Sequence, residues 1–427
     1  MIEKLYKIFL DSSGISTDTR TIKSGDIFFA LKGPSFNANA FAKAALEKGA
    51  QLAVIDDPKF EQESQTLLVE DALQCLQDLA RHHREQLKIP VIGLTGSNGK
   101  TTTKELIHKV LSEKYHTHAT KGNLNNHIGV PLTLLAIKPE HEMAIIEMGA
   151  NHVGDIQELC NIARPSHGFI TNIGKAHIGE FGGYEAIIRG KSELYDFLIK
   201  TNGTVFINST QPVLKNMGKR FANPLYYPES GSYCQVDFVE ATPFVKYISE
   251  DHTEIETQLI GKYNFDNIAT AWCVGKFFEV EPAAINRAIA SYMPDNNRSQ
   301  IIKQGSNTII LDAYNANPTS MLAAIENLKS MPKGEKGVIL GDMFELGSDS
   351  ESEHRLIGEE VKKAAFALNI FCGKDMKYAH EACPDSLHFE TRDSLIAYLQ
   401  KQIPREYTLL IKGSRGMGLE KALQIFD

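Results

Sequence analysis

Val91-Ile92-Gly93-Leu94-Thr95-Gly96-Ser97-Asn98-Gly99-Lys100-Thr101 is the stretch that decides the fold. Its first five residues form a short apolar run of strand type. A glycine-bearing loop follows, and a helix-forming segment runs from about Lys100 to Lys114. Thr95 to Thr101 keeps the Gly-Lys-Thr close of the GxxxxGK[ST] phosphate-loop pattern but opens with Thr and is one residue shorter. Glycine permits the dihedrals that let backbone N–H groups around Gly96 to Gly99 curl about an anion. The following helix points its N-terminus at the same anion. Lys100 can reach β- and γ-phosphates, and the Thr101 hydroxyl can ligate Mg²⁺. A glycine turn with an incidental lysine is the competing reading, and the strand before and helix after weigh against it. The loop predicts nucleoside triphosphate binding through Thr95, Gly96, Ser97, Asn98, Gly99, Lys100 and Thr101, but names no reaction.

Outward from this loop the same rhythm continues. Ala144-Ile145-Ile146-Glu147, Gly168-Phe169-Ile170-Thr171 and Val205-Phe206-Ile207 read as further short strands with helical segments between them. Strands alternating with helices predict a parallel α/β sheet covered on both faces. Residues 219–260 are more β-like and irregular, which predicts an antiparallel flank. The rhythm restarts near Arg298, with strands at 308–312, 337–341, 370–372 and 409–411 and helices over 321–329 and 353–367, a second, Rossmann-like unit. Before the loop, Asp26–Leu31 and Gln51–Ile55 read as strands, while 38–48 (stopped by Gly49) and 71–86 read as helices. Three α/β domains are expected, over 1–88, 89–297 and 298–427.

Composition agrees with this scale and excludes several classes. The chain has 427 residues, 42% of them apolar and 23% charged. That length fits two or three domains and excludes a disulfide-stapled mini-protein. Lys and Arg number 45 against 53 Asp and Glu, a net charge of −8. A protein that wraps nucleic-acid backbones is therefore not expected, although a local anion pocket is allowed. The six cysteines show no CxxC spacing and read as buried free thiols. No uncharged apolar run reaches ~18 residues and the N-terminus has no secretory pattern. The expectation is a cytoplasmic monomer without membrane insertion.

Charged groups at the ends of the next strands narrow the chemistry, because ligands bind there in open α/β sheets. Glu147 ends its strand, where a Mg²⁺-holding acid sits in phosphate-loop proteins; a solvated strand end is the alternative. His177 follows the strand at 168–171. Lys191, in a helical stretch with Glu193, reads by composition as part of a solvated face. Asparagines in Gly122–Gly129 and Asp312–Pro318 suit sugar hydroxyls and amides, or simply turns.

Together these motifs resemble the Mur ligase family, the ATP-dependent amide ligases of peptidoglycan precursor synthesis. The residues that carry the resemblance are TGSNGKTTT (95–103), GNLNNHIGVP (122–131), EMGANHVG (147–154), NIGKAH (172–177), DAYNANP (312–318), GDMFELG (341–347) and KGSRG (412–416). The resemblance covers nearly the whole chain. It implies a three-domain fold and a ligase that adds D-alanyl-D-alanine to a UDP-N-acetylmuramoyl-tripeptide through an acyl phosphate. It implies ATP contacts from Lys100, Asn267, Arg298 and Asp312. It implies two Mg²⁺ ions, with Thr101 and Glu147 at one and His177 at the other. Lys191 matches the family's lysine that CO₂ converts to a carbamate, which makes it an anion able to hold Mg²⁺. Ser16, Thr17, Asp18, Arg20 and Lys32 match the uridine-diphosphate region. Asn123, Asn125 and Asn126 are implied along the muramoyl-peptide path, with Asn315, Asn317, Lys412 and Arg415 at the substrate as well. Lys412 and Arg415 are set toward an incoming peptide carboxylate or phosphate.

Two departures stand out. Tyr263 replaces a common His, and Asn208-Ser209-Thr210 replaces Asn-Ala-Asp-Asp, so no ATP role is assigned to the latter. Two alternatives remain open at this point: another ligase of the same fold, such as a folylpolyglutamate synthase, and a non-catalytic nucleotide-binding scaffold. The second predicts loss of Glu147, His177 or Lys191, and all three are present.

Overall fold

The computed structural model describes residues 1–62, 64–294, 298–332 and 334–426. The expected boundary at 297/298 falls on residues 295–297, outside the described residues. Three parallel sheets follow one another along the chain. The first orders its strands Gly14–Ser16, Asp26–Phe29, Leu52–Ile55 and Thr66–Leu68, all parallel. Asp71 caps the helix Ala72–Gln86 by accepting from the Gln74 N–H. The helix expected over 38–48 opens instead as a 3₁₀ turn, Ala38–Phe41, before Ala42–Glu47. Its cause is local: the Asn37 side chain accepts from the Asn39 N–H and tightens the first turn.

The second sheet runs Leu225–Tyr227, Thr204–Asn208, His167–Ile170, Val91–Thr95, Met143–Glu147 and Thr117–Ala119, again all parallel. Its earliest strand, Val91–Thr95, is central and has later strands on both sides. That makes its C-terminal end the point where strand order reverses, the place where a crevice forms. Val91–Thr95 and Met143–Glu147 are buried throughout, which explains their unbroken apolar runs.

The antiparallel flank is real but shorter than expected. Leu225–Tyr227 extends the parallel sheet, and only Asp237–Ala241, Phe244–Ile248 and Glu254–Ile260 form an antiparallel sheet. The helix Tyr263–Phe277 then packs against Lys100–Leu111. In the last sheet Asn307–Asp312, Tyr407–Lys412, Glu335–Gly341, Leu368–Cys372 and Leu387–Phe389 are parallel. An antiparallel edge, Gln300–Gln304, precedes them. That edge and Leu387–Phe389 escaped the sequence reading, since both are short and only half-buried. All six cysteines are buried and free, as expected. Among the described residues no helix is long and apolar enough to cross a membrane.

Candidate active site

The phosphate loop leaves the central strand and turns through Gly99, whose φ of +78° is left-handed. A β-carbon there would lie 2.5 Å from the Asn267 side-chain oxygen, so only glycine lets the loop sit this close to the helix Tyr263–Phe277. The loop is braced from the neighbouring strand's end. Ser97 Oγ donates to the Gly174 carbonyl at 2.9 Å and accepts from the Gly174 N–H at 2.8 Å. The Asn98 N–H donates to Asn172 Oδ1, while the Thr171 hydroxyl donates to the Asn98 carbonyl. The helix Lys100–Leu111 has no side-chain cap, so its first N–H groups face the crevice free for an anion. Lys100 folds back onto the Gly96 carbonyl at 2.7 Å. Desolvation in the crevice lowers its ammonium, with Glu147 pulling the other way.

Glu147 lies at its strand's buried end, 1% exposed. Its Oε1 accepts from Asn125 Nδ2 at 2.9 Å and lies 3.4 Å from the Thr101 hydroxyl. Its Oε2 is buried with no hydrogen-bond partner. Lys104 Nζ, itself 4% exposed, stands 3.7 Å from it. An orphaned carboxylate oxygen beside a phosphate-loop hydroxyl is the donor set a hard divalent cation requires.

Lys191 contradicts the solvated-face reading. It is 1% exposed, because the helix Tyr184–Lys200 turns this position inward with Ile187 and Leu194. Its Nζ donates to the Ala150 carbonyl at 3.2 Å and sits 5.1 Å from the centre of the Phe181 ring. Burial, seconded by Lys100, pushes its ammonium well below the ordinary lysine value. Lys191 thus stands just behind the crevice wall that Ala150 lines.

His177 has a left-handed φ of +56° at the start of the short helix Ile178–Phe181. Its Nδ1 lies 2.5 Å from Glu345 Oε2 and 3.6 Å from Glu180 Oε2. One ligand atom from each of the three falls within 4.8 Å of the others. The His177 ring holds the Glu345 carboxyl below its usual range. Sequence reading missed both acids, although Glu345 lies inside the GDMFELG motif.

The far wall comes from the last sheet. Arg298 stacks on the Tyr314 ring, 3.8 Å from its centre, and its Nε is buried without a partner. Asp312 accepts from the Ser299 N–H at 3.3 Å and from Lys412 Nζ at 2.6 Å. Lys412, 1% exposed, also donates to the Asn315 carbonyl. Its charge is paired with Asp312 in this arrangement, and Lys412 still lines the cavity. Arg415 is exposed, near Tyr314. Asn317 donates to Asn98 Oδ1 at 2.7 Å and caps the helix Pro318–Ser330 with Ser320. Tyr263 lines the same cavity, its hydroxyl held by Ser299 Oγ at 2.6 Å.

A cavity of about 690 Å³ joins these walls, reaching Ser97, Glu147, Asn267, Arg298, Asp312 and Lys412. Asn123, Asn125 and Asn126 line it too. Asn126 also accepts from the Ile128 and Gly129 N–H groups, so part of its work is structural. Asn208 is buried and caps its own turn through Thr210, away from the cavity. The N-terminal set is elsewhere. Ser16 bonds the Asp18 carbonyl, Arg20 pairs with Asp18, and Lys32 pairs with Asp56 at the carboxyl edge of the first sheet. Arg20 holds the Asp18 carboxyl down to about 2. Thr17 falls in the same loop, and none of the five lines the cavity.

Comparison with known proteins bears on what this arrangement does. Residues 94–275 match the Mur ligase middle domain, and 297–415 match the Mur ligase glutamate ligase domain. A UDP-N-acetylmuramoyl-tripeptide–D-alanyl-D-alanine ligase of Bacillus subtilis is 33% identical over 96% of this chain and 92% of its own. A MurF structure from Acinetobacter baumannii is 32% identical, with a TM-score of 0.88 over 96% of this chain and 92% of the other. One from Thermotoga maritima in complex with ADP is 27% identical, with a TM-score of 0.86, and covers 98% and 97% of the two chains.

Proposed function

Since this chain belongs to the Mur ligase family, we infer that it is an ATP-dependent ligase joining D-alanyl-D-alanine to a UDP-N-acetylmuramoyl-tripeptide. The product is the UDP-muramoyl-pentapeptide of peptidoglycan synthesis. The observation that carries this reading is the single cavity in which the phosphate loop and buried Glu147 face Arg298 and Asp312 from a separate sheet. Such a cavity can hold a nucleoside triphosphate between two walls and close a reacting carboxylate off from water.

The chemistry follows from leaving groups. A carboxylate is a poor acyl donor, because oxide leaves badly. Its oxygen attacks the γ-phosphorus and ADP departs, leaving an acyl phosphate. The dipeptide's free amine then attacks the carbonyl carbon. The amine loses a proton, the C–O bond breaks and phosphate leaves. Lys100, Arg298 and the helix N-terminus at Lys100 gather positive potential where these anions meet. Water would hydrolyse the acyl phosphate, so closure of the 298–427 part onto the 89–297 part protects it.

Mg²⁺ supplies charge neutralisation between the carboxylate and the γ-phosphate. Thr101 and Glu147 suit one ion, as the orphaned Glu147 oxygen indicates, and His177 suits a second. Lys191 as a carbamate is supported by its burial and lowered basicity, since only the neutral amine attacks CO₂ and the product trades a buried cation for an anion. Carbon-13 NMR in labelled bicarbonate reads the carbamate directly. A resonance that survives in Lys191→Ala, or never forms, sinks that assignment. We assign 1–88 to the uridine-diphosphate end of the substrate, through Ser16, Thr17, Asp18, Arg20 and Lys32.

The deciding experiment follows phosphate release from ATP with each UDP-tripeptide, ending in lysine or in diaminopimelate, with and without D-alanyl-D-alanine. Dipeptide-dependent release with at least one is expected. No such release, or ligation of glutamate to folate instead, overturns the reading.

A further inference from the structure

We propose that Lys104 is the resident countercharge of the metal site, holding Glu147 while no ion is bound and making the site take a divalent cation only together with the triphosphate. The inference rests on the reading of Thr101 and Glu147 as a Mg²⁺ site. Lys104 lies in the helix Lys100–Leu111, four residues after Lys100 and three after Thr101. Residues three and four apart share a helix face. The helix that offers its N-terminus to the phosphates therefore aims this ammonium at the same wall of the crevice. Its Nζ stands 3.7 Å from Glu147 Oε2, the carboxylate oxygen that has no hydrogen-bond partner. Glu105 Oε1 stands at 4.0 Å. Lys104 and Glu147 are both almost wholly buried. Lys100, Thr101 and Glu147 line the cavity, and Lys104 does not. It stands behind the wall and acts through Glu147, which makes it a positioning residue.

A buried ion pair is a poor way to add stability, because both ions leave water and an apolar pair of the same size often does as well. The separation is also too long for a hydrogen bond, so the pair supplies charge more than geometry. What the charge does follows from its neighbours. Lys104 alone cancels the Glu147 carboxylate, and Lys100 feels the same carboxylate and adds positive charge. A bare dication entering this corner meets no net attraction. A bound triphosphate reverses the sign, and its oxygens add hard ligands for the ion. Glu147 is thus kept in place between turnovers, and the ion arrives and departs with the nucleotide.

The test uses Mn²⁺ as the probe, with the free ion read by electron paramagnetic resonance, on the full chain with and without a non-hydrolysable ATP analogue. The parent should bind Mn²⁺ with the analogue and at least about tenfold more weakly without it. Lys104→Met and Lys104→Gln should each bind Mn²⁺ alone at least about tenfold more tightly than the parent. The gain should vanish when Glu147→Gln is added, which separates this site from weak surface carboxylates. Lys104→Arg, which keeps the charge, should restore the parental weakness. A merely structural role predicts lower thermal stability in both neutral variants with unchanged Mn²⁺ affinity, and that result overturns the proposal. A gain that persists in Lys104→Arg overturns it too. Where a neutral variant is too unstable to titrate, Mn²⁺ alone should restore its fold by supplying the missing positive charge, and no recovery overturns the proposal. A parent that binds no Mn²⁺ even with the analogue overturns the metal reading of Thr101 and Glu147, and the proposal with it.

Discussion

Replacing Gly179 with alanine puts a methyl group where the backbone of another segment already lies. Gly179 sits in the short helix Ile178–Phe181, two residues after His177. Its added β-carbon would stand 2.7 Å from the Gly347 nitrogen, 2.9 Å from the Leu346 carbonyl carbon and 3.0 Å from the Glu345 carbonyl oxygen. Ordinary contact begins near 3.4 Å, and backbone cannot turn aside as a side chain can. The Gly179 N–H also donates to the Glu345 carbonyl at 3.1 Å, so the two segments must part by several tenths of an ångström along that bond. Overpacking of this kind costs about 1–3 kcal/mol. All three clashing atoms belong to the 341–347 loop, so the cost falls on the closed arrangement and spares the central sheet. At about 1.4 kcal/mol per tenfold, the closed population should fall roughly five- to 150-fold, and kcat with it. Steady-state phosphate release and small-angle scattering with nucleotide and UDP-tripeptide bound read the two effects. Gly179→Ala with parental kcat and parental compaction would refute the closure argument. A large drop in thermal stability would instead show that the methyl disturbs the central sheet itself.

Three further outcomes are expected. Glu147→Gln keeps the bonds to Asn125 and Thr101 but removes the charge; ligation should fall at least about a hundredfold, while metal-free nucleotide binding by fluorescence titration stays near the parent's. Lys412→Met leaves Asp312 uncompensated. Breaking a buried pair costs about 3–5 kcal/mol, and Asp312, 16% exposed, keeps the loss at the lower end. Denaturant titration should show it, and the double variant Lys412→Met/Asp312→Leu should regain part. For Lys191 the folded value lies well below the ordinary one. Between that lowered value and about 10.4 the unfolded chain binds the extra proton, so stability rises with pH across this window. Lys191→Met abolishes that gain: in CO₂-free buffer it should melt above the parent at neutral pH, with the gap narrowing toward pH 10. A gap that does not change with pH would refute the linkage.

The central architecture was legible because its signals are local. An apolar run, a glycine pair and a lysine before a helix are adjacent in the chain, and the observed strand Val91–Thr95 matches the read one. Short, half-buried edges such as Gln300–Gln304 and Leu387–Phe389 were not legible, because half of each faces solvent and carries no apolar pattern. Lys191 shows the limit for side chains. Composition places a Lys–Glu pair on a solvated face, yet helix rotation turns Lys191 toward Ala150 and leaves Glu193 to accept from the Gly154 and Gln157 N–H groups.

What the sequence by itself determined is the inventory: the phosphate loop, the acid, histidine and lysine, and the sheets that carry them. Which groups meet was decided only in three dimensions. Glu345 reaching His177, Asn317 reaching Asn98, and Lys412 turning inward on Asp312 all join residues distant in the chain. Local periodicity sets which elements form. Which side chains face one another depends on how whole sheets pack, and no single segment encodes that.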